Sequence, residues 1–150
     1  MTRYLEPEQG LAVMARLGLH VRDEGLFFSA LARPAMSAFG KDAYGNLELK
    51  AAALMSSLAR NHPLFDGNKR TSWVLTVAVL NLNGWDLEMS QDERFDLILA
   101  VATGSIELDE LAAVFASHLS RRSRLRASSY SSPRRFSSGS ITASRPRKSR

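Results

Sequence analysis

The stretch LELKAAALMSSLARNHPLFDGNKRTSWVLTVAVLNL, residues 47–82, decides the fold of this chain. Its first part carries apolar residues three and four positions apart, which predicts an amphipathic helix from Leu47 to about Arg60. Pro63 disfavours helical backbone angles at His62, so we expect this helix to end at about that histidine. A second helix is predicted from about Asn68 to Leu82. Because it is apolar on nearly every side, it belongs at the centre of the domain.

Four further helices are predicted on the two sides of this central pair. Turn-forming glycines and prolines, and a Ser90–Glu93 capping box, separate the segments that have helical periodicity. We expect these helices at Glu8–Leu17, Asp23–Ala32, Ser90–Ala102 and Leu108–Leu119. No segment of strand periodicity has a convincing length, and residues 39–46 are expected to be a flexible connection. The predicted fold class is therefore all-α, a helical bundle around the buried helix 68–82.

The charges divide the chain into two parts. Residues 1–120 hold ten Lys/Arg and all fifteen Asp/Glu, a net charge of −5, whereas residues 121–150 hold ten basic residues and no acidic one. We therefore expect one folded domain over residues 1–120 and a basic, Ser/Arg-rich, disordered tail over residues 121–150. Nucleic-acid binding is not expected for the acidic body, and weak binding by the tail would depend on salt.

The sequence also indicates a compartment. The chain has no cysteine, so its fold does not depend on disulfides or on an oxidising environment. The longest apolar run, Trp73–Leu80, is far shorter than the ~20 residues needed to cross a bilayer. The N-terminus turns acidic before any hydrophobic stretch, which is not typical of a secretory signal. We expect a cytoplasmic protein without membrane partners.

The junction between the two central helices, HPLFDGNKR at residues 62–70, concentrates polar residues against the most hydrophobic helix. Gly67 lets the backbone turn before the helix begins, so that successive N–H groups and the helix dipole favour an anion at one spot. Lys69 and Arg70 add full positive charges, which destabilise a helix N-terminus unless an anion joins them. An ordinary tight turn with exposed cations is the alternative interpretation.

Three further side chains of the junction complete a candidate phosphate site. Asn68 contributes a neutral amide donor. Asp66 is the lone carboxylate; it would repel phosphate by itself but suits a Mg²⁺ ion that bridges phosphate oxygens. His62, a few residues upstream, is a candidate general base. Phosphoryl or nucleotidyl transfer needs little more, since its catalysis is mostly positioning and charge stabilisation.

Residues 62–70 resemble the signature of the Fic/Doc family, His-x-Phe-x-(Asp/Asn)-(Gly/Ala)-Asn-(Gly/Lys)-Arg. The likeness extends over about Tyr4 to Leu119 and is greatest to the death-on-curing branch of the family. Leu64 departs from the signature, which usually has Phe at this position. We expect that position to face the core behind the loop, so the exchange alters packing more than chemistry.

The resemblance implies a role for each residue of the junction. His62 would take the proton from a hydroxyl of the target, and Asp66 would bind Mg²⁺. The phosphates of ATP would be held by Gly67, Asn68, Lys69 and Arg70. Lysine at position 69 is typical of the death-on-curing branch, whose members phosphorylate elongation factor Tu and halt translation, whereas AMP-transferring relatives usually have glycine there. Phosphorylation is therefore favoured over AMP transfer.

The resemblance also implies a partner. The family's internal inhibitory motif, (Ser/Thr)-x-x-x-Glu-(Gly/Asn), does not occur in this chain. We therefore expect a toxin of a toxin–antitoxin pair, restrained by an antitoxin of the Phd type that folds over the site. A non-enzymatic module that only binds a nucleotide or a partner, or that binds nucleic acid through its tail, is the alternative of a different class.

Overall fold

A computed structural model describes residues 1–123 of the chain and confirms the predicted mostly helical fold. Six α-helices are present within these residues: α1 Pro7–Leu17, α2 Glu24–Ala32, α3 Leu47–Asn61, α4 Asn68–Leu82, α5 Gln91–Thr103 and α6 Leu108–His118. A single 3-10 turn, Arg33–Ala35, follows α2. The predicted disorder of the tail lies outside the described residues from position 124 onward. None of the helices in the described part combines the length and hydropathy needed to span a membrane.

Side-chain caps determine where three of the helices begin. Asp23 accepts a hydrogen bond from the N–H of Leu26 (3.0 Å) at the start of α2. Asn46 does the same for α3 through the N–H of Leu49 (2.8 Å), and Ser90 starts α5 with the predicted capping box. Such caps satisfy N–H groups that have no partner inside the helix.

The core lies on both faces of α3, which packs against α2, α4, α5 and α6. One apolar cluster joins α3 to α1, α2 and α4; the other joins it to α4, α5 and α6. Helix α4 lies in this core as predicted, with six buried residues, but α3 has nine. The small alanines of α3, such as Ala51, Ala52 and Ala53, have no exposed surface. Their size lets the neighbouring helices approach α3 closely, so it shares the centre with α4.

The connection expected to be flexible contains a short hairpin instead. Strands β1 (Ser37–Ala38) and β2 (Lys41–Asp42) pair antiparallel, with Ser37 opposite Asp42. The two turn residues, Phe39 (φ 54°) and Gly40 (φ 77°), both have the positive φ of tight hairpin turns. Phenylalanine rarely adopts such angles, and each strand has only two residues, so no sequence signal predicts this hairpin.

A second antiparallel pair ties the end of the described chain to the loop after α4. It consists of β3 (Trp85–Leu87) and β4 (Leu119–Arg121), with Trp85 opposite Arg121. Strand β4 crosses position 120, where we expect the folded domain to end, and the N–H of Arg122 donates to the carbonyl of Gly84 (2.9 Å). The hydrogen-bonded structure therefore includes the first basic residues of the predicted tail.

One ion pair joins the end of α6 to the start of α5. His118 Nε2 lies 2.9 Å from Glu93 Oε2, and its Nδ1 lies 2.8 Å from the carbonyl oxygen of Val114. The bond to Val114, followed by the one to Glu93, raises the pKa of His118, and the same pair lowers the pKa of Glu93. Protonated His118 therefore stabilises the fold below the unfolded pKa of about 6.5. This contribution is lost as the pH rises through the folded pKa.

We accordingly expect His118→Gln to lower the thermal unfolding midpoint more at pH 5.5 than at pH 8.5. The difference between the two pH values should be about 2–4 °C, since the pair is partly exposed. Scanning calorimetry at both pH values measures it. His20→Gln, which changes a histidine outside this pair, is the control. An equal loss of stability for His118→Gln at both pH values would contradict this assignment.

Candidate functional site

The predicted site residues come together in the loop between α3 and α4. Helix α3 ends at Asn61 and is capped by His62, which adopts left-handed backbone angles (φ 49°, ψ 56°). Helix α4 begins after Gly67, which is also left-handed (φ 83°). These two reversals fold the loop around a cleft of about 400 Å³. The residues that line this loop cleft are His62, Phe65, Asp66, Gly67, Asn68, Lys69 and Arg70. All six residues predicted for the site thus line one cleft.

The start of α4 has the features of an anion site. The first helical hydrogen bond runs from the N–H of Thr71 to the carbonyl of Gly67 (2.8 Å), so the N–H groups of residues 68–70 have no partner within the helix. No side chain caps this helix start. Lys69 and Arg70 are exposed on its first turn. Free N–H groups, the helix dipole and two cations therefore act on the same cleft.

Asp66 is exposed and lines the loop cleft. Its Oδ1 accepts the N–H of Gly67 (2.8 Å), an arrangement that fixes the carboxylate beside the helix start. In residues 1–123 no group of three or more His, Cys, Asp or Glu side chains is placed to hold a metal ion. A single carboxylate still fits Mg²⁺, which usually binds one or two carboxylates together with water and substrate phosphates.

Asn68 has a structural task that its sequence position did not reveal. Its Oδ1 accepts the N–H of Leu64 (2.9 Å), and its Nδ2 donates to the carbonyl of the same residue (3.2 Å). The side chain thereby closes the loop on itself. Both polar atoms of this amide bond to the loop backbone. Its role as a phosphate ligand stays a prediction.

Leu64 faces the core, as expected for the position where the signature usually has Phe. It is 2% exposed and belongs to the same cluster as Met14, Leu58 and Leu75. Leu64 therefore anchors the loop to the core, while the polar residues of the loop line the cleft.

We expect Leu64→Ala to destabilise the domain by about 2–5 kcal/mol, because it removes buried atoms and leaves a cavity under the loop. Urea unfolding followed by circular dichroism measures this loss. The volume-conserving Leu64→Met is the control and should cost less than about 1.5 kcal/mol. Equal midpoints for the alanine and methionine variants would show that the loop does not depend on this anchor.

A segment some 40 residues earlier in the chain holds the loop from the side. The N–H groups of Arg22 and Asp23 both donate to the carbonyl of Pro63 (2.8 and 3.0 Å), and the N–H of Phe65 donates to the carbonyl of His20 (3.2 Å). Val21 and Leu64 form an isolated antiparallel bridge. Periodicity cannot reveal such pairing, because it joins residues that are distant in the sequence.

Arg22 also positions His62 directly. Its Nη2 donates to the backbone carbonyl of His62 at 2.6 Å, a charge-assisted hydrogen bond. Left-handed angles are uncommon for a residue other than glycine, so this bond helps to hold an unfavourable conformation. From the sequence, Arg22 and Asp23 could equally orient the helix before the loop or shape a target-binding flap. The structure assigns Arg22 to the loop and Asp23 to the cap of α2.

Two comparisons with known proteins identify the family of the chain. The model of the Fic/DOC family matches residues 4–80, which include the whole loop and its lateral support. The chain is 47% identical over 121 residues to Toxin Doc of Mycolicibacterium smegmatis, an alignment that covers 77% of this chain and 93% of that protein. Both findings support a toxin of the Doc type. The chain belongs to the Fic/DOC family.

Proposed function

We propose that this protein is a toxin of a toxin–antitoxin pair that transfers the γ-phosphate of ATP to a hydroxyl of a protein target. The observation that carries the proposal is the loop cleft, in which His62 lies beside the uncapped, cationic start of α4. A base beside an anion site is the minimum that phosphoryl transfer requires. By family resemblance the target is a translation factor, elongation factor Tu, whose modification would inhibit translation.

The reaction follows from the chemistry of these side chains. His62 removes the proton from the target hydroxyl, and the oxygen attacks the γ-phosphorus of ATP. The new O–P bond forms as the bond from the γ-phosphorus to the bridging oxygen breaks, and ADP leaves with the electron pair. Lys69, Arg70 and the free N–H groups of α4 stabilise the charge on the phosphate oxygens. Mg²⁺ bound at Asp66 would neutralise part of the same charge.

Lys69 favours phosphate transfer over AMP transfer. Lys69 lies on the first turn of α4 and lines the loop cleft. AMP-transferring relatives usually have glycine at this position, which leaves room beside the phosphates that a lysine side chain would occupy. The nucleotide would then bind with its γ-phosphate, rather than its α-phosphate, next to His62. AMP transfer to a protein hydroxyl is the second candidate, because the remaining signature residues serve both reactions.

The hairpin formed by β1 and β2 is suited to docking the target. Lys50 donates through Nζ to Asp42 (3.3 Å) and to the carbonyl of Pro34 (3.2 Å), and so ties the hairpin to α3. Burial alone lowers the pKa of Lys50, but hydrogen bonds with Tyr4 and Asp42 outweigh burial and raise the pKa above its ordinary value. The fully exposed Phe39 at the tip offers an apolar contact to a target peptide.

We propose that an antitoxin of the Phd type restrains this activity. His62, Asp66 and Lys69 are exposed in the described chain, and the sequence has no inhibitory motif of the family. Control by a partner that folds over the loop cleft is consistent with both observations.

Labelled ATP separates the candidate reactions. The purified protein is incubated with Mg²⁺ and purified elongation factor Tu, once with γ-labelled and once with α-labelled ATP. The proposal expects transfer of the γ-label alone. Transfer of the α-label would establish AMP transfer instead, and failure of both labels to reach the factor would refute the proposed target. Omitting Mg²⁺ should abolish transfer.

A further inference from the structure

A second cavity, of about 390 Å³, lies beside the C-terminal end of α3 and outside the loop cleft. It is open to solvent and is lined by α3, the start of the 3-10 turn, the connection between α5 and α6 and the first residue of α6. Its polar lining comes from Arg33, Ser56, Ser57, Arg60, Asn61 and Glu107. We call it the Arg33–Arg60 cavity.

Within residues 1–123, the hydrogen-bond partners of Arg33 are neutral groups. Its Nη1 donates to the hydroxyl of Ser57 (2.7 Å) and the carbonyl of Ala53 (3.2 Å), and its Nε donates to the hydroxyl of Tyr44 (2.8 Å). Its guanidinium carbon also lies 5.5 Å from the centre of the Tyr44 ring. These contacts fix the guanidinium without neutralising its charge, so the group is preorganised for an anion.

Arg60 supplies a second guanidinium to the same cavity. It packs over Gly104, where an added Cβ would come within 3.2 Å of the guanidinium carbon. Lys50–Asp42, His118–Glu93 and Arg122–Asp86 are ion pairs within residues 1–123. Neither arginine of the cavity is part of them, although residues 1–120 carry five more acidic than basic side chains. Glu107 lines the cavity without pairing to either.

The position of the cavity connects it to the proposed reaction. Asn61 lines the cavity and directly precedes His62, so their Cα atoms are ~3.8 Å apart. On the other side, Arg33 contacts Tyr44, just beyond the hairpin that we propose as the docking element. A target chain that lies on the hairpin and presents its hydroxyl to His62 would therefore pass the Arg33–Arg60 cavity.

We propose that this cavity binds one acidic side chain of the protein substrate, close in sequence to the hydroxyl that is modified. The inference rests on the proposed transfer to a protein. Two guanidinium groups and the carboxylate of Glu107 give the lining a net charge of +1, which a single carboxylate compensates. A phosphate dianion would leave excess negative charge in the cavity. The planar fork of arginine also matches a carboxylate with two parallel hydrogen bonds.

Binding can be tested without any catalysis. The Nε–H signals of Arg33 and Arg60 are followed by NMR while a blocked tripeptide, acetyl-Glu-Ser-Glu-amide, is added to the full chain. We expect both signals to shift saturably, with no shift for acetyl-Gln-Ser-Gln-amide and a lost response in Arg60→Gln. Inorganic phosphate is the competing probe. Shifts with phosphate but not with the acidic peptide, or with neither, would overturn the proposal.

Steady-state kinetics tests the consequence for the substrate. We expect Arg60→Gln to raise the KM for the protein substrate at least ~10-fold, with kcat changed less than about twofold, because a charge-assisted bidentate bond is lost from binding. Arg60→Lys should be intermediate, and Glu107→Gln should lower the KM. Arg16→Gln, an exposed arginine of α1, is the control and should match the wild-type chain.

The two proposals fail in different ways. If the wild-type chain transfers no label, the proposed function is wrong, while the NMR titration still decides whether the cavity binds the acidic peptide. If label is transferred and Arg60→Gln retains the KM of the wild-type chain, the assignment of the cavity is wrong and the proposed function stands.

Discussion

Replacing His62 by asparagine is expected to reduce transfer of label to the protein target by about 10²–10⁴-fold, the usual contribution of a general base. Asparagine tolerates the left-handed backbone angles of position 62 better than most residues do, so the loop should keep its shape. The imidazole is exposed, and its removal should leave the unfolding midpoint nearly unchanged. Label transfer under single-turnover conditions, together with calorimetry, measures both effects.

His20→Asn is the matched control for this variant. The side chain of His20 is also exposed, and its backbone carbonyl accepts the N–H of Phe65 in the loop. It should transfer label at the rate of the wild-type chain. If His62→Asn retained more than a tenth of the wild-type rate, histidine would not be the base, and the loop would act only by binding the nucleotide.

Asn68→Ala is expected to affect both stability and activity. The Leu64 N–H and carbonyl would lose their partners in a partly buried place, and we expect a loss of about 2–4 kcal/mol in the free energy of unfolding. Activity should fall at least ~10²-fold even well below the unfolding midpoint, because small displacements of catalytic groups have effects of that size. Urea unfolding and label transfer at 15 °C measure the two losses.

Asn68→Asp separates loop closure from nucleotide binding. A carboxylate still accepts the N–H of Leu64 but no longer donates to its carbonyl, so this variant should be more stable than Asn68→Ala. Asn68→Asp also brings a negative charge beside the phosphates, so its activity should be no higher than that of Asn68→Ala. A variant Asn68→Ala that unfolds at the wild-type urea concentration would show that the loop is closed by other contacts.

The helices could be predicted because their signals are local. The apolar spacing of Leu47–Arg60, the proline at position 63 and the capping serine at position 90 each act within a few residues. The signals of the loop are local as well. Gly67, followed by Lys69 and Arg70 at a helix N-terminus, indicates an anion site before any contact is known. The family resemblance places position 64 in the core, and Leu64 is buried there.

The remaining features depend on pairing between distant residues. The bridge between Val21 and Leu64, the pairing of β3 with β4 and the Arg33–Arg60 cavity each join segments that no periodicity relates. Asn68 had a plausible role as a phosphate ligand, and only its contacts with Leu64 reveal that it closes the loop. Local patterns thus indicate which residues form the site, whereas tertiary contacts determine what holds them.

The lateral support of the loop by residues 20–23 has a consequence for how the signature can be used. The nine residues 62–70 do not contain the groups that hold His62 in its left-handed conformation, because Arg22 supplies one of them from before α2. A peptide or a grafted helix pair that carries only residues 47–82 would have the sequence of the signature without the backbone geometry of the loop. The signature alone is therefore not sufficient for the site. Transfer of the activity to another protein would require residues 20–23 as well as residues 62–70.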